Sequence, residues 1–93
     1  MRENDPNKRV LVVDDEEAIR SGIAQVLSKM NLKADTAAGG APALDMMARR
    51  PYAVVLLDIK MPDLDGIEVL KRIRQDYSGT EVIMITGFPT MVP

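Results

Sequence analysis

The chain alternates short apolar runs with segments of helical periodicity. Unbroken apolar runs at residues 10–13, 53–57 and 82–85 are typical of strands buried on both faces of a sheet. The weaker alternation of residues 33–38 predicts an edge strand. Three amphipathic helices are predicted between these strands, and the first places one apolar face on Ile19, Ile23, Val26, Leu27 and Met30. The order β-α-β-α-β-α-β predicts a parallel α/β sheet with right-handed crossovers.

The length of 93 residues allows one small domain at most. Residues 1–7 have no apolar residue beyond the initiator and predict a flexible N-terminal tail, whereas residues 8–93 form the folded unit. No apolar run is long enough for a signal peptide or a membrane span. Together with the absence of cysteine, this favours a cytoplasmic location and no membrane partner.

Charge and composition narrow the possible chemistry. The net charge is −2, so nothing indicates that this segment binds nucleic acid. The chain contains no His and no Cys. It therefore cannot form a zinc site of the usual nitrogen and sulfur ligands, nor a nucleophilic site that depends on a histidine base. Any metal would have to be one that prefers oxygen ligands.

Polar residues follow three of the four predicted strands. Asp14 and Asp15 end the first, Asp58 the third and Thr86 the last. The carboxyl ends of parallel strands meet at one edge of a sheet, so these groups should converge there. An alternative is that the acids after the first strand only serve the start of a helix. In the sequence, Asp58 has no basic neighbour except Lys60. Clustered carboxylates with no Arg or His beside them favour binding of Mg²⁺, beside which an aspartate can accept a phosphoryl group.

Three blocks resemble the receiver domain of bacterial two-component response regulators: Val10–Glu16, Leu57–Gly66 with its D-x-x-M-P-x-x-x-G run, and Ile83–Gly87. The resemblance extends from Arg9 to Gly87. It implies a flavodoxin-like (CheY-like) parallel sheet in a three-layer α/β/α arrangement, here without the last strand and the last two helices. Residues 83–89 are also similar to receivers of regulators that act with the alternative sigma factor, sigma-54.

The resemblance also implies roles for individual residues. Asp58 would accept a phosphoryl group from a phosphohistidine of a sensor histidine kinase. Asp15 would bind Mg²⁺ directly, Asp14 mainly through water, and the backbone carbonyl of Lys60 would complete the protein ligands. The hydroxyl of Thr86 would sense the phosphoryl group. The domain would then be a phosphorylation-dependent switch that controls an output domain, transcriptional in this interpretation, rather than a turnover enzyme.

The sequence differs from the family pattern at several points, so functions other than a phosphorylation switch are also considered. The sequence lacks the lysine that ends the fifth strand of a complete receiver and the aromatic residue of the switch. A signalling-inactive, truncated receiver that acts as an interaction or dimerisation module is the main alternative. A metal-dependent phosphatase would need an acid at position 60, where the sequence has Lys60. The truncation would leave residues 82–85 as an open edge, which predicts a homodimer, a strand-exchanged oligomer or marginal stability.

Overall fold

Four strands alternate with three helices in the computed structural model, which describes residues 9–59 and 66–85. The elements are β1 (Val10–Val13), α1 (Glu17–Lys29), β2 (Ala34–Ala37), α2 (Gly40–Arg49), β3 (Val54–Asp58), α3 (Gly66–Asp76) and β4 (Glu81–Ile85). This order confirms the predicted alternation. None of the described helices has both the length and the apolar character needed to cross a membrane. The predicted tail at residues 1–7 lies outside the described residues.

The strands form one parallel sheet in the order β2-β1-β3-β4. β2, predicted as an edge strand from its weak alternation, does lie at an edge. β1 pairs with β2 on one side and with β3 on the other. From β1 the chain therefore continues to β2 on one side of β1 and then crosses to β3 on the other side. The strand order reverses at the carboxyl ends of β1 and β3, and ligands of open α/β sheets bind at such a point.

Helices cover both faces of the sheet, which confirms the predicted three-layer arrangement. Because crossovers between parallel strands are right-handed, the strand order puts α1 on one face and both α2 and α3 on the other. The hydrophobic core lies on the face of α2 and α3. Its side chains are at most 4% exposed and are those of Leu11, Val13, Ala37, Ala43, Met47, Tyr52, Val55, Leu57, Val69 and Ile73.

Helix α1 forms where its periodicity predicts, but its apolar face is not buried as expected. No residue of α1 is buried, and the side chains of Val26 and Met30 are 57% and 61% exposed. The reason is the position of the helix, which packs against β1 and β2 at one side of the sheet. Ile23 and Leu27 are consequently half-buried. Much of the α1 apolar face stays open to solvent in the described part of the chain.

The sheet face on the α1 side becomes more exposed from β1 to β4. Val12, Leu56 and Ile83 lie in register on neighbouring strands and share this face. Val12 is fully buried, Leu56 is half-buried and Ile83 is 51% exposed. This face is therefore covered beside β1 and open beside β4, at the edge of the sheet that the described residues form.

A cluster of polar side chains connects the strands at their amino ends, on the opposite side of the sheet from Asp14 and Asp58. Tyr52 Oη donates a 2.6 Å hydrogen bond to Asp35 Oδ2, and Arg9 Nη1 lies 3.3 Å from the same oxygen. Arg50 Nη1 approaches it to 3.7 Å. Thr80 Oγ1 donates a hydrogen bond of 2.8 Å to the Tyr52 carbonyl. This cluster, which we call the amino-edge cluster, connects β2 with the residues that precede β1, β3 and β4.

The amino-edge cluster makes the stability of the fold depend on pH in the alkaline range. Burial, followed by the hydrogen bond to Asp35, raises the pKa of Tyr52 from 10.0 to about 12. The folded state therefore holds the phenol proton more tightly than the unfolded chain. The resulting stability is complete below pH 10 and is lost as the pH rises from 10 to about 12. Such a difference in pKa corresponds to about 2–3 kcal/mol.

We expect the free energy of unfolding to fall across this pH range, and to fall less in Tyr52→Phe. Urea titrations at successive pH values measure how the free energy of unfolding changes with pH in the wild type and in Tyr52→Phe. Tyr77→Phe is the matched control, since Tyr77 is the other tyrosine of the chain, and it should keep the wild-type pH dependence. Equal slopes for Tyr52→Phe and the wild type between pH 10 and 12 would contradict the role of Tyr52.

Candidate functional site

Three carboxylates meet at the carboxyl edge of the sheet. Asp14 and Asp15 follow β1 directly, and Asp58 is the last residue of β3. β1 and β3 are parallel neighbours with Val13 opposite Leu57, so the two strand ends lie side by side. One carboxylate oxygen from each aspartate lies within 4.8 Å of the other two. We call this group the acidic cluster, and its formation agrees with the predicted convergence of these three acids.

The members of the acidic cluster differ in exposure. Asp14 is 5% exposed and Asp58 is 7% exposed, whereas Asp15 is exposed. Two like charges 4–5 Å apart repel by about 3–4 kcal/mol at an effective dielectric constant of about 20. Burial leaves little water to weaken this repulsion between Asp14 and Asp58. The folded protein therefore holds unfavourable charge at this edge, and a bound cation would relieve it.

The loop between β1 and α1 is fixed by polar groups of Asp14. The Asp14 N–H donates to the Ala37 carbonyl at 3.2 Å, and Asp14 Oδ1 accepts a 2.9 Å hydrogen bond from the Glu16 N–H. Glu16 is the N-cap residue of α1 and makes no side-chain cap bond of its own. The Asp14 carboxylate thus orders the loop before the helix and also belongs to the acidic cluster, so it does more than serve the helix start.

Arg20 was not identified from the sequence. Its Nη1 donates a 2.8 Å hydrogen bond to the carbonyl oxygen of Asp14. The expectation that no Arg or His lies beside the acids needs correction in one respect, since the Arg20 guanidinium contacts the main chain of Asp14. The sequence did carry a signal: Arg20 lies in the first turn of α1, where the helix dipole disfavours positive charge unless negative groups are near.

Gly66, the first residue of α3, contacts the end of β3. Its N–H donates to the Ile59 carbonyl at 3.1 Å. A Cβ at this position would lie 2.7 Å from both Cα and the carbonyl oxygen of Ile59, and 2.8 Å from the Asp58 carbonyl oxygen. No described glycine has positive φ. Glycine is therefore required at position 66 for the close approach of α3 to the strand that carries Asp58.

Two predicted site residues lie outside the described residues. They are Lys60, for its backbone carbonyl, and Thr86, for its hydroxyl. The positions just before them are described: the Ile59 N–H donates to the Ile85 carbonyl at 3.2 Å. Residues 59 and 85 are therefore neighbours, next to Asp58. Their roles stay predictions.

The donor set of the acidic cluster fits a magnesium ion. It offers carboxylate oxygens, and no His or Cys in the sequence could supply nitrogen or sulfur. Mg²⁺ binds oxygen ligands and keeps several waters when few carboxylates hold it. The exposed Asp15 leaves the cluster open to solvent on one side, where such waters could bind.

The fold and the acidic cluster define a class of protein, an open parallel α/β sheet with an acidic site at its switch point. Residues 10–92 match the response regulator receiver domain family. The chain therefore belongs to the response regulator receiver family, whose domains are signalling modules of two-component systems. This confirms the family predicted from the three sequence blocks.

Relatives of known identity support this membership. Sporulation initiation phosphotransferase F of Bacillus subtilis is 38% identical over 82 residues, which cover 88% of this chain and 66% of that protein. Regulatory protein AtoC of Escherichia coli is 36% identical over 80 residues, which cover 86% of this chain and 17% of that protein. The chain thus spans less than two thirds of the length of these relatives. The finer similarity to regulators acting with sigma-54 stays a prediction.

Solved structures agree with the fold. Response regulator protein TrrA from Thermotoga maritima, in complex with Mg(2+)-BeF, superposes with a TM-score of 0.83 and 38% identity, covering 88% of this chain and 71% of that one. A CheY-like receiver domain protein from Methanospirillum hungatei gives a TM-score of 0.85 with 32% identity, covering 90% of this chain and 67% of that one. The predicted flavodoxin-like, CheY-like fold is confirmed.

Proposed function

We propose that this chain accepts a phosphoryl group on Asp58 from a phosphohistidine of a sensor histidine kinase, in a Mg²⁺-dependent reaction. Phosphorylation then changes its conformation and controls an output domain that acts in transcription. The supporting observation is the position of Asp58, which is 7% exposed at the end of β3. Its carboxylate lies within 4.8 Å of those of Asp14 and Asp15, in a chain of the receiver family.

Asp58 acts as the nucleophile in this proposal. One of its carboxylate oxygens attacks the phosphorus, and the phosphorus–nitrogen bond of the phosphohistidine breaks. The electron pair stays on the imidazole nitrogen of the kinase, which takes up a proton. The low exposure of Asp58 limits the access of bulk water to the acyl phosphate that forms.

Asp14, Asp15 and Asp58, with the backbone carbonyl of Lys60, would hold the Mg²⁺ ion. When bound, the ion supplies positive charge that stabilises the phosphoryl oxygens beside the carboxylates. The exposed Asp15 suits direct binding of the ion. Asp14 Oδ1 already accepts the Glu16 N–H, which suits a role mainly through water. The Thr86 hydroxyl is proposed to contact the phosphoryl group and transmit its presence to the surface.

Incubation with acetyl phosphate and Mg²⁺ tests this function. Intact-mass spectrometry should detect one added phosphoryl group on the wild type and none on Asp58→Asn. Asp45→Asn, which alters an exposed carboxylate on α2, is the matched control and should be modified like the wild type. Phosphorylation that persists in Asp58→Asn would contradict the assignment.

The same incubation separates the alternatives. A wild type that keeps its unmodified mass would favour a signalling-inactive interaction module. Sustained hydrolysis of small phosphate esters would favour a phosphatase instead, because a switch domain takes up one phosphoryl group and does not turn over a pool of substrate.

We also propose that the 93-residue chain associates with a second copy through β4, as a homodimer or by strand exchange. β4 lies at the edge of the described sheet, and Ile83 is 51% exposed beside Leu56. Exposed apolar edge strands favour such pairing. Light scattering after gel filtration should detect an oligomer that Ile83→Lys disrupts. Ile67→Lys, at a residue 44% exposed on α3, is the control. A monodisperse wild-type monomer with cooperative unfolding would refute self-association.

The proposed location is the cytoplasm, where a sensor kinase can present its phosphohistidine. The absence of cysteine is compatible with that reducing compartment. With a net charge of −2, this segment is not proposed to bind nucleic acid, so any DNA contact would belong to the output domain.

A further inference from the structure

Arg20 connects the first turn of α1 to the end of β1, beside the acidic cluster. Its Nη1 donates to the Asp14 carbonyl oxygen at 2.8 Å in a partly buried contact. We infer, on the basis of the proposed function, that Arg20 is a positioning residue of the phosphorylation site. It holds the β1–α1 loop so that Asp14 and Asp15 face the cation.

The weak packing of α1 gives this contact its importance. No α1 residue is buried, and its N-cap residue makes no side-chain cap bond. Among the described residues, neither a fully buried α1 side chain nor a side-chain cap bond from Glu16 fixes the start of the helix. The polar groups of Asp14 contact Ala37, Glu16 and Arg20. Of these three contacts, the Arg20 bond comes from a side chain of α1, so it fixes the helix relative to the end of β1.

The charge of Arg20 also suits its place. A guanidinium in the first turn of a helix meets the unfavourable end of the helix dipole, and the acidic cluster offsets that cost. The three carboxylates carry three negative charges and a divalent cation carries two positive ones. Through its bond to the Asp14 carbonyl oxygen, Arg20 brings one further positive charge to the end of β1.

Binding of Mn²⁺ to the 93-residue chain tests the inference. The electron paramagnetic resonance signal of free Mn²⁺ measures the dissociation constant. Arg20→Met should raise that constant about tenfold, the lower end of the range for residues that orient metal ligands. Removal of a positive charge alone would instead tighten cation binding. Unchanged or tighter binding in Arg20→Met therefore overturns the inference. Lys29→Met, in the last turn of α1, controls for charge and should bind like the wild type.

Amide hydrogen exchange provides a second measurement that does not depend on the metal. In Arg20→Met the Glu16 N–H, which donates to Asp14 Oδ1, should exchange faster, while amides of the core strand residue Leu57 keep their wild-type rates. Unchanged exchange at Glu16, or equally faster exchange at both residues, overturns the inference.

These experiments distinguish failure of the proposed function from failure of the role inferred for Arg20. A wild type that neither binds Mn²⁺ nor accepts a phosphoryl group refutes the proposed function, and the exchange of Glu16 still tests the role of Arg20. If Arg20→Met does not fold, Arg20→Lys takes its place. This variant keeps the charge but loses the guanidinium geometry. It should weaken Mn²⁺ binding by a few fold, and wild-type affinity in it overturns the inference.

Discussion

Gly66→Ala is expected to lower the free energy of unfolding by about 2–3 kcal/mol, the usual result of forcing extra volume into a packed contact. The added Cβ would lie 2.7 Å from Cα and the carbonyl oxygen of Ile59. These are backbone atoms, so no side-chain rotation can relieve the clash, and α3 must move away from β3. The hydrogen bond from the Gly66 N–H to the Ile59 carbonyl would weaken as well.

Urea denaturation measures the loss of stability in Gly66→Ala, and Gly22→Ala is the matched control. Gly22 lies inside α1, and a Cβ added there would meet no atom within 4 Å. Alanine at this position should stabilise the helix by about 0.5–1 kcal/mol. The clash at Gly66 also involves the Asp58 carbonyl, so phosphorylation by acetyl phosphate should be slower in Gly66→Ala. Wild-type stability in Gly66→Ala would contradict the close contact.

Asp58→Asn is expected to make the metal-free protein more stable by up to about 3 kcal/mol, because it removes repulsion between buried carboxylates. Asp14 and Asp58 are 5% and 7% exposed, so solvent screens their charges poorly. Asparagine keeps the shape of the side chain. The same variant that abolishes phosphorylation should therefore unfold at higher urea concentration in the presence of a chelator. Lower stability of Asp58→Asn under these conditions would contradict net repulsion in the acidic cluster.

Added Mg²⁺ should reverse much of this difference. A cation that binds only the folded state stabilises the wild type by about 2.7 kcal/mol at a concentration of about 100 times its dissociation constant. Asp58→Asn should gain less, since it has lost one charged ligand. Asp45→Asn, whose carboxylate is exposed and pairs with Arg49 on the same helix, should follow the wild type with and without Mg²⁺.

The sequence was sufficient to predict the strands and the acidic cluster for simple physical reasons. A strand buried on both faces contains a continuous apolar run, as residues 10–13 do. In a parallel sheet, the residues after such strands share one edge. Asp14 and Asp58 therefore had to be neighbours once β1 and β3 were adjacent.

Contacts between segments that lie apart in the sequence could not be predicted in the same way. Helical periodicity identifies an apolar face but not what covers it, so the exposure of Val26 and Met30 was not predicted. The bond from Arg20 to the Asp14 carbonyl depends on where α1 starts and how the loop bends. The requirement for glycine at position 66 arises from the distance between α3 and β3, which no local pattern encodes.

The amino-edge cluster has a consequence for how this chain can change over evolutionary time. At one end of the strands, Asp35, Tyr52 and their arginine partners stabilise the fold. At the other end, the acidic cluster opposes it. The stability that the amino-edge cluster adds thus offsets the stability that the acidic cluster costs at the carboxyl edge. Loss of Tyr52 should reduce the number of substitutions near Asp58 that the fold tolerates, although the two side chains lie at opposite edges of the sheet.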